Sequence, residues 1–204
     1  MTLIPTGTDS PEAAADVLAA LRVATGSRHA VLDQSMPLST ETPSLVDYRN
    51  HLLLLRAWLA PLEAWLALFD DGPQDASVLD RIERTSLIDA DLGDSAMPAV
   101  TQDVETIEWP RDERSRAYRW GVGYVIEGSQ LGGAVLYRRL HERLAPHPLR
   151  YLGQDGMPVG PHWQRFIRAM RNDVTTDAQI ADACAGAVDA FDTLLALVSR
   201  EPAL

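Results

Sequence analysis

Residues Arg119–Leu140 read RWGVGYVIEGSQLGGAVLYRRL. No proline interrupts the stretch, and its apolar residues recur at helical spacing, so it predicts a helix. Yet Gly121, Gly123, Gly128, Gly132 and Gly133 all fall inside it. A glycine within a helix costs about 1 kcal/mol relative to alanine. Five cost about 5 kcal/mol, which is the scale of a small domain's whole stability. On a helical wheel Gly121, Val125, Gly128, Gly132, Val135 and Arg139 share one stripe, and bare backbone along a stripe admits a close partner. Another helix could use Gly128-x-x-x-Gly132 as a small-residue face. A planar cofactor could lie across the same atoms. A phosphate fits less well, because neither GxGxxG nor GxxxxGK[ST] occurs. On the pattern alone, helix packing is the simpler reading and the cofactor stays open. Glu127 and Gln130 sit mid-stretch, and no run of about twenty apolar residues surrounds them, which argues against a membrane span.

The 204-residue chain is 46% hydrophobic, which fits an ordinary globular protein with one sizeable core. A net charge of −11 argues against a general nucleic-acid binder. Cys184 is the only cysteine, so an intrachain disulfide and a thiolate metal cluster are excluded. The first residues lack the basic start and apolar run of a signal peptide, and a cytoplasmic location is the default expectation. All 18 basic residues are arginine. That removes a Schiff-base lysine, a Walker lysine and a Ser-x-x-Lys nucleophile, and leaves arginine or backbone amides for any anion site.

Outward from the glycine-rich helix, further helices follow. Residues 1–9 read as a disordered leader ahead of one domain over 10–200. Ser10-Pro11-Glu12 reads as a helix start, with the helix reaching about Asp33. Ser44-x-x-Asp47 resembles a capping box for a long helix that Pro61 should kink or split. Residues 75–92 alternate charged and apolar residues as a helix with a solvated charged face. Pro110 should open the glycine-rich helix, which runs to about Leu144. Residues 146–161 are rich in proline and glycine and read as a long irregular segment. A short helix over 162–172 and a last one capped by Thr176-Asp177 complete the chain. No segment reads as a strand. The fold expected is an all-α, single-domain bundle of about seven or eight helices.

Leu18, Leu21, Thr25, His29 and Leu32 share one face of the first helix, so a histidine sits within an apolar stripe. A core histidine satisfied by a neighbour is the simpler account of this pattern. The other account is a ligand to a metal or a haem iron. Asp33, one turn on, could then fix the ring tautomer, and Arg22 lies near the same face. His51 reads as structural. The HExxH, Glu-x-x-His and Gly-x-Ser-x-Gly patterns are all absent. What remains is one well-placed histidine, a glycine-interrupted helix and several arginines. A five-coordinate haem uses such a set: an axial imidazole, close backbone on the opposite face, and cations for two propionates.

LRVATGSRHAVLD at 21–33 resembles the proximal-helix motif of haem oxygenases. GYVIEGSQLGGAVL at 123–136 resembles their distal helix, in the Glu-Gly-Ser-x-Leu-Gly form of bacterial enzymes, including those associated with bacteriophytochromes. The segment around His162-Trp163-Gln164-Arg165-Phe166 is also similar, and the three motifs stand in the family's order. The resemblance implies His29 as the proximal iron ligand and Asp33 as the carboxylate behind it. It implies Gly128 and Gly132 as the glycines bordering the haem, with Ser129 beside them in the catalytic segment. Arg22 and Arg168 match basic positions near the propionates. Better-known members carry aspartate where this chain has Ser129; related bacterial members share the serine. The activity implied is oxidative opening of haem, both substrate and cofactor, to biliverdin with release of iron and carbon monoxide. Oxygen, an electron donor (a ferredoxin or reductase) and a bacteriophytochrome accepting biliverdin are the partners implied, with no nucleic acid and no membrane. Two other readings are a non-catalytic haem carrier or sensor and a haem-free, thiaminase-like enzyme of the same fold.

Overall fold

The computed structural model describes residues 16–99, 104–110 and 112–200. Among them are seven α-helices and no strand: α1 Val17–Ser35, α2 Leu45–Leu66, α3 Arg84–Leu92, α4 Arg116–Leu140, α5 Arg150–Gly153, α6 Val159–Asp173 and α7 Asp177–Arg200. Short 3-10 turns occupy Pro37–Ser39, Gly72–Gln74 and Gln154–Gly156. The all-α expectation holds, and no helix among the described residues is long and apolar enough to cross a membrane.

Local chemistry sets the boundaries. The leader and the Ser10 cap lie outside the described residues; α1 is capped instead by Asp16, whose carboxylate accepts from the Leu18 amide. The Ser44–Asp47 capping box is present, with the Ser44 amide 2.7 Å from Asp47 Oδ2. Pro61 does not split α2, which continues to Leu66. The helix expected over 75–92 begins only at Arg84. Before it, the Asp75 carboxylate binds the Ser77 amide and hydroxyl, a local alternative to helical hydrogen bonding. Nor is its charged face wholly solvated, for Arg84 and Asp91 are buried. Asp91 accepts from the Tyr48 hydroxyl at 2.6 Å and from the backbone amides of Arg150 and Tyr151, so it caps α5 from a distance. The glycine-rich helix opens at Ser115 rather than Pro110, with the Ser115 hydroxyl accepting from the Tyr118 amide. The 146–161 segment is not wholly irregular, since it contains α5 and the start of α6.

α7 is the support on which the site is built. It packs along both α1 and α4, and α2 reaches it where the Trp58 indole donates to the Ala190 carbonyl at 3.0 Å. Its inner face is small: Ala183, Gly186, Ala187 and Ala190 are buried. A methyl on Gly121 of α4 would overlap the Ala183 carbonyl, and one on Gly186 would overlap the Tyr118 carbonyl. Two glycines from two helices thus let their backbones touch where α4 crosses α7.

Candidate functional site

Although both rest on α7, α1 and α4 make no extensive contact with each other. Two ties join them. The Tyr124 phenol of α4 lies beside the Thr25 hydroxyl and near the Arg22 guanidinium, and burial pushes its pKa above the usual value. Further along, the Arg139 guanidinium donates to the Leu38 carbonyl just beyond α1, at 2.7 Å. Helix angle identifies what faces the space between. Arg22 and Thr25, the neighbours of Tyr124, bracket His29 on the α1 wheel within about 40°, so His29 points toward α4. On α4, Gly128 and Val135 fall in the sector between Tyr124 and Arg139, and Gly132 lies about 20° beyond Arg139. The space is open. The His29 side chain is 66% exposed, Leu131 and Val135 are exposed, and a methyl on Gly132 would meet nothing within 4 Å. Phe191 of α7 lines the His29 side, its ring centroid 6.2 Å from that of the imidazole.

His29 is therefore not a satisfied core histidine, although Leu18, Leu21, Thr25 and Leu32 of its stripe are buried. Its Nδ1 lies 3.0 Å from Asp33 Oδ2. A carboxylate only accepts, so Nδ1 carries the proton of the neutral ring and Nε2 keeps its lone pair. Among the described residues Nε2 has no hydrogen-bond partner, and no group of three or more His, Cys, Asp or Glu side chains could hold a metal ion. A single imidazole suits an iron whose other ligands come with it, as in a tetrapyrrole.

The glycine stripe divides by function. Gly121 serves helix packing, as does Gly123, whose absent side chain leaves room for the Phe166 ring. Gly133 faces Leu152. Gly132 faces the cleft, and Gly128 stands beside Trp163, which would lie 3.7 Å from a methyl there. Trp163 in turn stacks on Phe166 and meets Tyr124, with centroid distances of 5.8 and 5.7 Å. The Ser129 hydroxyl donates to the Ile126 carbonyl at 2.7 Å and accepts from the Gln130 amide at 2.9 Å. Gln130 continues this network to Tyr151 and Gln154. Arg22 is exposed beside the Tyr124 tie. Arg168 is exposed on α6, one turn before Arg171, whose guanidinium forks onto Asp16 at 2.8 and 2.7 Å. Neither Arg22 nor Arg168 has an acceptor among the described residues, so both cations are available to a carboxylate. An exposed imidazole with Nε2 unpartnered, bare α4 backbone at Gly132 and available guanidinium groups fit a haem.

Sequence reasoning passed over a buried polar cluster behind α4. Arg84 Nη2 lies 2.6 Å and His162 Nε2 3.1 Å from Glu127 Oε2. Burial alone would raise the Glu127 pKa; the His162 hydrogen bond and the Arg84 charge outweigh it and hold the carboxyl below its usual range. The signal was Glu127 itself, a charge on the buried side of an otherwise apolar helix. The cluster borders a cavity of about 320 Å³ lined by α2, the segment before α3, α4 and α6. That cavity is separate from the cleft: His29 does not reach it, and its own histidine is committed to Glu127.

A family model described as "Heme oxygenase" matches residues 15–200. A curated "Heme oxygenase" of Xanthomonas campestris pv. campestris (strain 8004) is 39% identical over 104 residues. That alignment spans 47% of this chain and 62% of the relative, less than two thirds of its length. A crystal structure of the NO- and CO-bound heme oxygenase from Neisseria meningitidis superposes with a TM-score of 0.65 at 22% identity, covering 90% of each chain. At that identity the likeness bears on the fold. The family match covers most of the sequence and all seven helices, and on that ground the chain belongs to the haem oxygenase family.

Proposed function

We propose that this chain binds haem in the cleft between α1 and α4 and opens it to biliverdin, with release of iron and carbon monoxide. The observations that carry the reading are two: an exposed His29 imidazole whose outer nitrogen has no partner among the described residues, and open space where a side chain at Gly132 of α4 would stand. Bound haem supplies the iron at which oxygen is activated and the ring that is oxidised. The protein supplies the rest. His29 would hold the iron through Nε2, with Asp33 fixing the tautomer and orientation of its ring. Gly128 and Gly132 let α4 approach the opposite face, where Leu131 and Val135 present apolar surface. Ser129, in the position where better-known members carry aspartate, is hydrogen-bonded to Gln130, which continues to the buried Tyr151 and Gln154. Arg22 and Arg168 offer planar donor forks to the propionates. A ferredoxin or reductase provides electrons, and a bacteriophytochrome is the proposed acceptor of biliverdin.

A haem-free, cysteine-dependent reaction has no support from the site. Cys184 lies on α7 with its thiol pKa pushed up by burial, the opposite of an activated nucleophile. The test of the binding mode is a hemin titration of His29→Ala. The variant should lose the histidine–haem absorption spectrum and regain it with added imidazole. A normal spectrum in His29→Ala, lost instead in His162→Ala, would contradict the reading.

A further inference from the structure

Behind α4 the packing is interrupted by a cavity. Gly123, Ile126 and Glu127 border a cavity of about 320 Å³ there. α3 makes no extensive contact with α4 and reaches it through the Arg84 side chain. The polar ties converge on one residue. Arg84 from the start of α3 and His162 from α6 share the same Glu127 oxygen. α2 joins from behind, since the Glu63 carboxylate accepts from the Arg84 and Thr85 amides at 2.9 and 3.2 Å and from the Thr85 hydroxyl. Arg84 is 4% and Glu127 14% exposed, so these charges are little screened by water. Glu127 immediately precedes Gly128, and the glycine-interrupted segment that follows has low intrinsic helical stability.

We propose that Glu127, held by Arg84 and His162, is the positioning residue of the Gly128–Gly133 segment, and that this anchor sets which edge of a haem in the cleft α4 covers. The second half rests on the haem-oxygenase reading; the first does not. Beside the cavity, the buried ties fix the distance of α4 from α2, α3 and α6. Loss of the anchor lets α4 shift toward the cavity and changes which meso carbon lies exposed.

The experiment compares full-length wild type, Glu127→Ala and Glu127→Gln. Hydrogen exchange of the haem-free proteins reads the anchor. Amides of Gly128–Gly133 should exchange about tenfold faster or more in Glu127→Ala, with α7 unchanged. Glu127→Gln, which keeps an acceptor oxygen, should fall between and serves if the alanine variant does not fold. Chromatography of the biliverdin isomers after turnover reads the consequence. The isomer ratio should shift in both variants, and a ratio does not depend on how much protein is folded. Unchanged exchange in the glycine segment overturns the anchor. Faster exchange with an unchanged isomer ratio overturns its role in specificity. If wild type itself leaves haem intact, the haem-oxygenase reading fails while the exchange result still decides the anchor.

Discussion

His29 Nδ1 and Asp33 Oδ2 lie 3.0 Å apart, one turn of α1 from each other, with both side chains open to the cleft side of the helix. In the proposed site this pair leaves the histidine's outer nitrogen as the one that would meet iron. Asp33→Ala should therefore weaken haem binding by about tenfold or more, the usual consequence of losing a ligand's hydrogen-bonding partner. Because the pair is exposed, the stability of the haem-free protein should hardly change. A hemin titration alongside thermal unfolding separates the two effects, and an unchanged affinity would show that Asp33 is not the orienting group.

Gly121 and Gly132 belong to one stripe of α4 but should respond oppositely to substitution. Gly121→Ala places a methyl on the Ala183 carbonyl and should destabilise the fold by about 1–3 kcal/mol or more. Gly132→Ala enters open space and should be neutral or stabilising by up to about 1 kcal/mol. Gly132→Leu should leave the fold intact and obstruct haem. Denaturant unfolding and hemin binding of the three variants give the comparison, and a destabilised Gly132→Ala would mean that α4 packs closely there.

Much of this was legible in the sequence, and its limits are physical. The helical period of α4, the capping box at Ser44 and the stripe on α1 depend on neighbours in the chain, so pattern alone revealed them. The division of the glycine stripe did not show, because Gly121 and Gly132 differ only in what another helix brings to them. His29 read as core by its spacing, yet it sits at the stripe's edge, where the cleft opens. Arg84 read as solvated because its partner, Glu127, lies 43 residues away. Asp91 was misread for the same reason, since the amides it caps belong to α5.

Arg22 stands near Tyr124, where α1 and α4 are tied. Arg22→Ala should weaken haem binding by about tenfold, as expected for loss of one charge-assisted hydrogen bond to a propionate. Arg168→Ala should have the smaller effect. Hemin affinities of the two variants decide, and equal wild-type affinity in both would remove the proposed propionate contacts.

His51 gives the fold an acid sensitivity of its own. Burial holds its pKa down at about 4, and its Nδ1 has no partner among the described residues. In the unfolded chain the value is about 6.5. Between those values the unfolded chain binds a proton that the folded chain does not. Stability from this group is therefore complete above about pH 6.5 and falls as pH drops toward 4, by up to about 3 kcal/mol. Urea unfolding of wild type and His51→Leu at pH 7 and pH 4.5 measures the difference. The variant should lose less stability on acidification, and equal losses would contradict the assignment.

The most direct test of the account is turnover. Purified protein loaded with one equivalent of hemin is given ascorbate or a ferredoxin system in air, with catalase present to remove free peroxide. The account predicts that the Soret band disappears, a broad biliverdin absorption grows in the red, and carbon monoxide is released. A Soret band that persists, in protein that binds hemin stoichiometrically, would contradict it and leave a haem carrier or sensor in its place.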